Sequence, residues 1–144
     1  SLAITQHIAR EYGGDLGPAT AAELALMENW ALFAATSVET PALEITYAQA
    51  NGTAETPEGQ AVIAVAAERL RRPLARLQGH LAAEGHMVGG RFTVADINLA
   101  ECVRYAQAHP TLLAEFPAVK AWIERCQARP AFKAMWAARL AEPA

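Results

Sequence analysis

Ser1 stands at the start of an apolar helical pattern, where a hydroxyl beside the free backbone N–H groups of a first turn is suited to holding an anion. The same serine serves equally as an ordinary N-cap. Asp96 is a carboxylate within an apolar stretch, where burial would perturb its ionisation, but its spacing from Thr93 assigns it structural work. In that capping box the Thr93 hydroxyl accepts from the Asp96 N–H while the Asp96 carboxylate accepts from the Thr93 N–H. Phe92 and Ile97 flank it as a hydrophobic staple, and Gly89-Gly90 let the chain turn into the helix. Tyr105 joins an apolar ring to a polar tip, which fits either a hydrophobic pocket needing one hydrogen bond or a core with a satisfied hydroxyl.

Other reactive types carry less. Arg69, Arg72 and Arg76 share a helical face and read as an anion patch or as a solvated stripe, the second being expected because Glu68 stands at i, i+4 from Arg72. Cys102 and Cys126 sit in apolar patterns without a Cys-x-x-Cys, so both are expected as buried, reduced thiols, which suits a cytoplasmic protein. His7, His80, His86 and His109 share no metal-ligand spacing, so no metal site is expected and each is read as incidental. The tryptophans and methionines read as packing.

These residues must be positioned by helices, since nearly every segment shows the 3.6-residue period and no alternating run predicts a strand. The expected fold is all-α. The first helix spans Ser1 to about Tyr12 and ends at Gly13-Gly14, with Asp15 to Pro18 as a linker and candidate domain boundary. A second helix opens at Thr20 with a capping box to Glu23, carries Leu24, Met27, Ala31, Ala34 and Val38 inward, and is stopped or kinked by Pro41. Pro57 starts a third, long helix, which carries Ile63, Ala66, Leu70, Leu74, Leu77 and Leu81 on one side and should bend at Pro73. From Thr93 to about Tyr105 the pattern is apolar on nearly all faces, which predicts a central helix. Val119, Trp122, Ile123 and Cys126 define the next, and after Pro130 a last helix turns Phe132, Met135, Trp136 and Leu140 inward.

With 144 residues, 53% hydrophobic and only 19% charged, the chain has enough apolar material for one sizeable core. A net charge of −3 with dispersed basic residues argues against nucleic acid or an anionic membrane as partner. No apolar run reaches the roughly 18 residues of a membrane span.

The run from Arg91 to Asp96, followed by Phe116-Pro117-Ala118-Val119 and by Ala128-Arg129-Pro130-Ala131-Phe132-Lys133, resembles the C-terminal half of cytosolic glutathione S-transferases. Ser1 to Ile4 with Ile8 to Gly13 looks like the last helix of that family's thioredoxin-like domain, beginning at its glutathione-binding serine. The resemblance implies that residues 1–14 are that helix, that 15–144 form the helical C-terminal domain, and that the chain starts mid-protein. It further implies that Ser1 holds the γ-glutamyl carboxylate of glutathione and that Thr36, Thr40 and Tyr105 line the co-substrate pocket, with Glu39 and Arg104 beside them. No catalytic residue is expected in this chain, because the family's catalytic Tyr, Ser or Cys belongs to the first domain.

By this resemblance the whole protein would be a detoxifying, cytoplasmic transferase. It would join glutathione to a small hydrophobic electrophile, or reduce with it, without a metal. A homodimer is implied, with the Trp30 and Phe33 region at the interface. The alternative is a non-catalytic helical module for protein assembly, of the translation-factor or synthetase-associated type, and fold alone does not separate the two.

Overall fold

The Thr20 hydroxyl accepts from the Glu23 N–H at 3.1 Å, and this cap opens the first long helix, α2 (Ala21–Phe33). The structure, a computed structural model, describes residues 1–142, so positions 143 and 144 of the expected helical domain lie outside the described residues. Before α2 come α1 (Leu2–Tyr12) and a 3₁₀ turn (Gly14–Leu16). After it come α3 (Thr40–Ala50), α4 (Pro57–Glu84) and α5 (Val94–Arg104). Two 3₁₀ turns (Tyr105–Ala108 and Leu112–Glu115) lead to α6 (Pro117–Ala128) and α7 (Pro130–Leu140). Among the described residues the chain is all-α, its one β pairing being an isolated bridge between Val88 and Arg91.

Pro41 does not stop its helix, because a π-helical segment (Ala34–Glu39) joins α2 directly to α3. A proline lacks the N–H for the ladder and its ring crowds the carbonyl four residues back; a wider turn just before it relieves both demands. Pro73 likewise lies buried inside an uninterrupted α4.

α5 is the axis of the bundle. It packs against α1, α2, the π segment and α6, while α4 packs on α3 and α6. Leu99, Cys102 and Val103 of α5 meet a core that includes Met27, Ile45, Leu70, Leu74, Leu77, Trp122 and Ile123. α7 departs from expectation: none of its residues is buried, and Met135 and Leu140 are exposed. The helical period of α7 places its apolar residues on one side, but the described chain supplies only a shallow surface against that side.

The expected linker is tied down. Arg91 donates through Nε to the Asp15 carbonyl at 3.1 Å and through Nη2 to the Gly17 carbonyl at 2.9 Å, and it forms a fork on both carboxylate oxygens of Glu23 at 2.9 and 2.8 Å. Gly89, at φ +68°, makes that approach possible, since a Cβ there would lie 2.6 Å from Glu23 Oε1.

Candidate functional site

Ser1 is exposed at the N-cap of α1, and its hydroxyl makes no capping hydrogen bond. Its carbonyl accepts from the Thr5 N–H at 3.0 Å, so the first turn of α1 is formed. α1 is held in place from beneath. The Thr5 hydroxyl donates to Asn98 Oδ1 at 2.6 Å, the Asn98 amide donates to the Leu2 carbonyl at 3.4 Å, and Gln6 donates to the Met27 carbonyl at 2.9 Å. Asn98, buried on α5, thus links the central helix to the first turns of α1.

Thr36, Thr40 and Tyr105 do not line one cavity. Thr36 donates to the Leu32 carbonyl at 2.8 Å and lines a groove between the π segment and α4, whereas Thr40 is exposed and is not among the residues lining that groove. Tyr105 belongs to a separate cluster at the end of α5. The Arg104 guanidinium lies 4.7 Å from the centre of the Tyr105 ring and 4.8 Å from that of Trp136, and it is paired with Glu101. Burial raises the Tyr105 hydroxyl above its ordinary pKa, the neighbouring Glu101 adds to this, and Glu39 of the π segment acts in the same direction. The phenol therefore stays a neutral donor. Thr46 donates to the Tyr105 carbonyl at 2.8 Å and so binds α3 to this corner. Trp136 was legible only as an inward residue of α7; what it does is cover a cation.

The Asp96 carboxylate is fully buried and serves as a hub. Oδ2 accepts from the Thr93 N–H at 3.0 Å and the Thr93 hydroxyl at 3.3 Å, completing a capping box, and Oδ1 accepts from the Met87 N–H at 3.1 Å and the Trp122 indole at 2.8 Å. His86 Nδ1 stands 3.6 Å from the same Oδ1.

Two histidines, His80 and His109, are structural rather than incidental, whereas the buried Nδ1 of His86 makes no hydrogen bond among the described residues. His80 Nε2 donates to the carbonyls of His86 and Met87 at 3.1 and 3.0 Å, and His109 Nδ1 accepts from the N–H groups of Thr111 and Leu112 at 3.3 and 3.1 Å. These roles depend on loop geometry that no local spacing announces. Both cysteines are free and buried, and desolvation pushes each thiol up to about 12.

Two open grooves flank α5 and α4. An apolar one of about 420 Å³ lies between α5 and α7 and includes Phe92, Ile97, Phe132 and Met135, with Arg129 3.7 Å over the Phe92 ring at its edge. The other, of about 460 Å³, lies between the π segment and α4 and is walled by Arg69, Arg72 and Arg76. Arg72 is not paired with Glu68 as its spacing predicts, since Arg71 takes that carboxylate at 3.0 Å. Among the described residues no group of three or more His, Cys, Asp or Glu side chains is placed to hold a metal. None of the described helices is long and apolar enough to cross a membrane.

Residues 25–130 match the family described as Glutathione S-transferase, C-terminal domain. The chain is 34% identical over 140 residues to Glutathione S-transferase 3 of Zea mays, an alignment covering 92% of this chain and 63% of the maize protein, so it spans less than two thirds of that relative. Among solved structures, glutathione S-transferase III in its apo form superposes with a TM-score of 0.79 at 34% identity, covering 99% of this chain and 68% of that one. The theta class glutathione S-transferase of Xanthomonas axonopodis pv. citri, solved with glutathione bound, gives 0.75 at 31% identity over 92% of this chain and 69% of its own.

Proposed function

Because this chain belongs to the glutathione S-transferase family through its C-terminal domain, we infer that it supplies the helical, substrate-selecting half of an enzyme that uses glutathione as co-substrate. The observation that carries this reading is the 31% identity to a transferase solved with glutathione bound. In the proposed division of labour, residues 1–14 are the last helix of a thioredoxin-like domain that lowers the thiol pKa of glutathione, and residues 15–144 shape the choice of electrophile. The reaction joins the glutathione sulfur to an electrophilic carbon of a small hydrophobic molecule, or reduces a disulfide or peroxide at glutathione's expense.

Ser1 would receive the γ-glutamyl carboxylate, and its unengaged hydroxyl at the first turn of α1 supports that role. Tyr105 would border the electrophile as a neutral hydrogen-bond donor on an apolar ring. Thr36 and Thr40 would approach it from the helix opposite, although they share no cavity with Tyr105 in this structure. A cytoplasmic homodimer fits the family, but Trp30 is packed inside its own chain against Phe33 and His80, so exposed neighbours such as Leu32 would have to make the contact. Titration calorimetry with glutathione on a protein carrying both domains tests the reading. Saturable binding that weakens in Ser1→Ala supports it, and unaltered affinity in that variant removes Ser1 from the site.

A further inference from the structure

Among the described α-helices only α7 buries no residue, and its main neighbour is α6. Arg129, in extended backbone, breaks the ladder between the two, so α7 leans on side chains to stay in place. What fixes its middle lies on α5. The Arg104 guanidinium stands 4.8 Å from the centre of the Trp136 ring and 4.7 Å from that of Tyr105, so one cation serves both rings. Glu101, one turn earlier on α5, holds that cation. Arg104 Nε donates to its two carboxylate oxygens at 3.1 and 3.0 Å, and Nη2 donates to one of them as well. The Arg104 side chain is only 20% exposed, and Trp136 in turn stacks on Phe132 with planes 9° from parallel.

The backbone of Tyr105 is fixed by the end of α5 and by Thr46, whose hydroxyl donates to its carbonyl at 2.8 Å, but the ring still turns about its own side-chain bonds. A guanidinium laid against the ring restricts that freedom, and it does so only while its own position is held. Two groups hold it: the Glu101 carboxylate fixes its direction, and the Trp136 ring shields it from water, which strengthens its attraction for both rings. We propose that Arg104 is a positioning residue for co-substrate choice, clamped by Glu101 so that it sets the ring of Tyr105 and docks Trp136, and with it α7, at the same corner. This rests on the reading of Tyr105 as a pocket residue. It also gives α7 a task in selectivity, although none of its residues needs to touch the electrophile.

Two measurements test it. In the protein carrying both domains, the ratio of kcat/KM for a chlorodinitrobenzene to that for allyl isothiocyanate should shift by about fivefold or more in R104Q and in W136A, with the KM for glutathione unmoved. W136F, which keeps an aromatic ring, should restore the parent ratio. R104Q/Y105A should give the ratio of Y105A alone, because Arg104 acts through Tyr105. In the 144-residue chain, Trp30 and Trp122 are buried, so acrylamide quenching of fluorescence reports mainly on Trp136. R104Q should quench more steeply at an unchanged circular dichroism spectrum, and should R104Q fail to fold, E101Q releases the same clamp and should do likewise. Unchanged quenching in the folded variant overturns the clamp itself. A shifted ratio in Y105A with none in R104Q overturns the positioning role and leaves Tyr105 in the pocket. No shift in any variant, with quenching altered, overturns both the role and the pocket reading. Independent, multiplying effects of R104Q and Y105A also overturn the proposal.

Discussion

The indole N–H of Trp122 on α6 donates to Asp96 Oδ1 on α5 across 2.8 Å, inside the core and 26 residues apart in sequence. The carboxylate that caps α5 therefore also fastens α6 and, through the Met87 N–H, the loop after α4. Thr93→Ala should cost about 1 kcal/mol or more, as the loss of a buried cap does. Asp96→Ala should cost more, on the order of 3 kcal/mol, because it strands four buried donors at roughly 1–3 kcal/mol each and the losses overlap. Urea unfolding of the two variants measures both, and equal midpoints would show that the carboxylate is only a cap.

Glu23 is held well below its ordinary value, at about 2, first by its hydrogen bond to Arg91 and then by the Ala19 N–H. A lowered folded-state pKa stabilises above the unfolded value and is lost as pH falls toward the folded one. The link between linker, α2 and the capping loop should accordingly hold above about pH 4.5 and weaken from there down to about 2. Thermal melts of Arg91→Gln across that window should show a smaller acid dependence than the parent; identical slopes would mean that the fork adds nothing to stability.

Cys102 and Cys126 should resist alkylation in the folded protein at mildly alkaline pH, since burial pushes both thiols up to about 12 and the thiolate is the reactive form. Both should react once denaturant is added. A thiol titrated rapidly without denaturant would show that its region opens.

Tyr105→Ala should alter the ranking of electrophiles, with changes on the order of tenfold in kcat/KM, while glutathione affinity stays the same. Tyr105→Phe separates ring from hydroxyl: it should affect only co-substrates that accept a hydrogen bond. A uniform response across the panel would return Tyr105 to a packing role.

The caps at Thr20 and Thr93 and the apolar faces of α4, α5 and α6 were legible because each is encoded within a few residues of itself. The task of Asp96 as a hub was half legible: Thr93 is three positions away, but Trp122 and Met87 reach it only through the packing of α5, α6 and the loop between α4 and α5. Spacing proposed Glu68 for Arg72, and Arg71 took it, because neighbouring turns compete for one carboxylate and Glu115 draws Arg71 to that side. Residues of the candidate site were placed by resemblance, which fixes the element and not the direction of a side chain. Thr36 and Tyr105 consequently fall on different surfaces.

The widened turn from Ala34 to Glu39 also sets a phase. An α-helix advances about 100° per residue, so one additional residue accommodated in that turn rotates everything after it by about that angle. Ala42, Ile45 and Ala48 face the core only with this offset in place. Closing the segment to an ordinary α turn with the same residues would keep the chain helical and yet turn α3 to present Glu44 and Tyr47 where Ile45 and Ala48 now lie, so the width of this turn, more than its composition, orients α3.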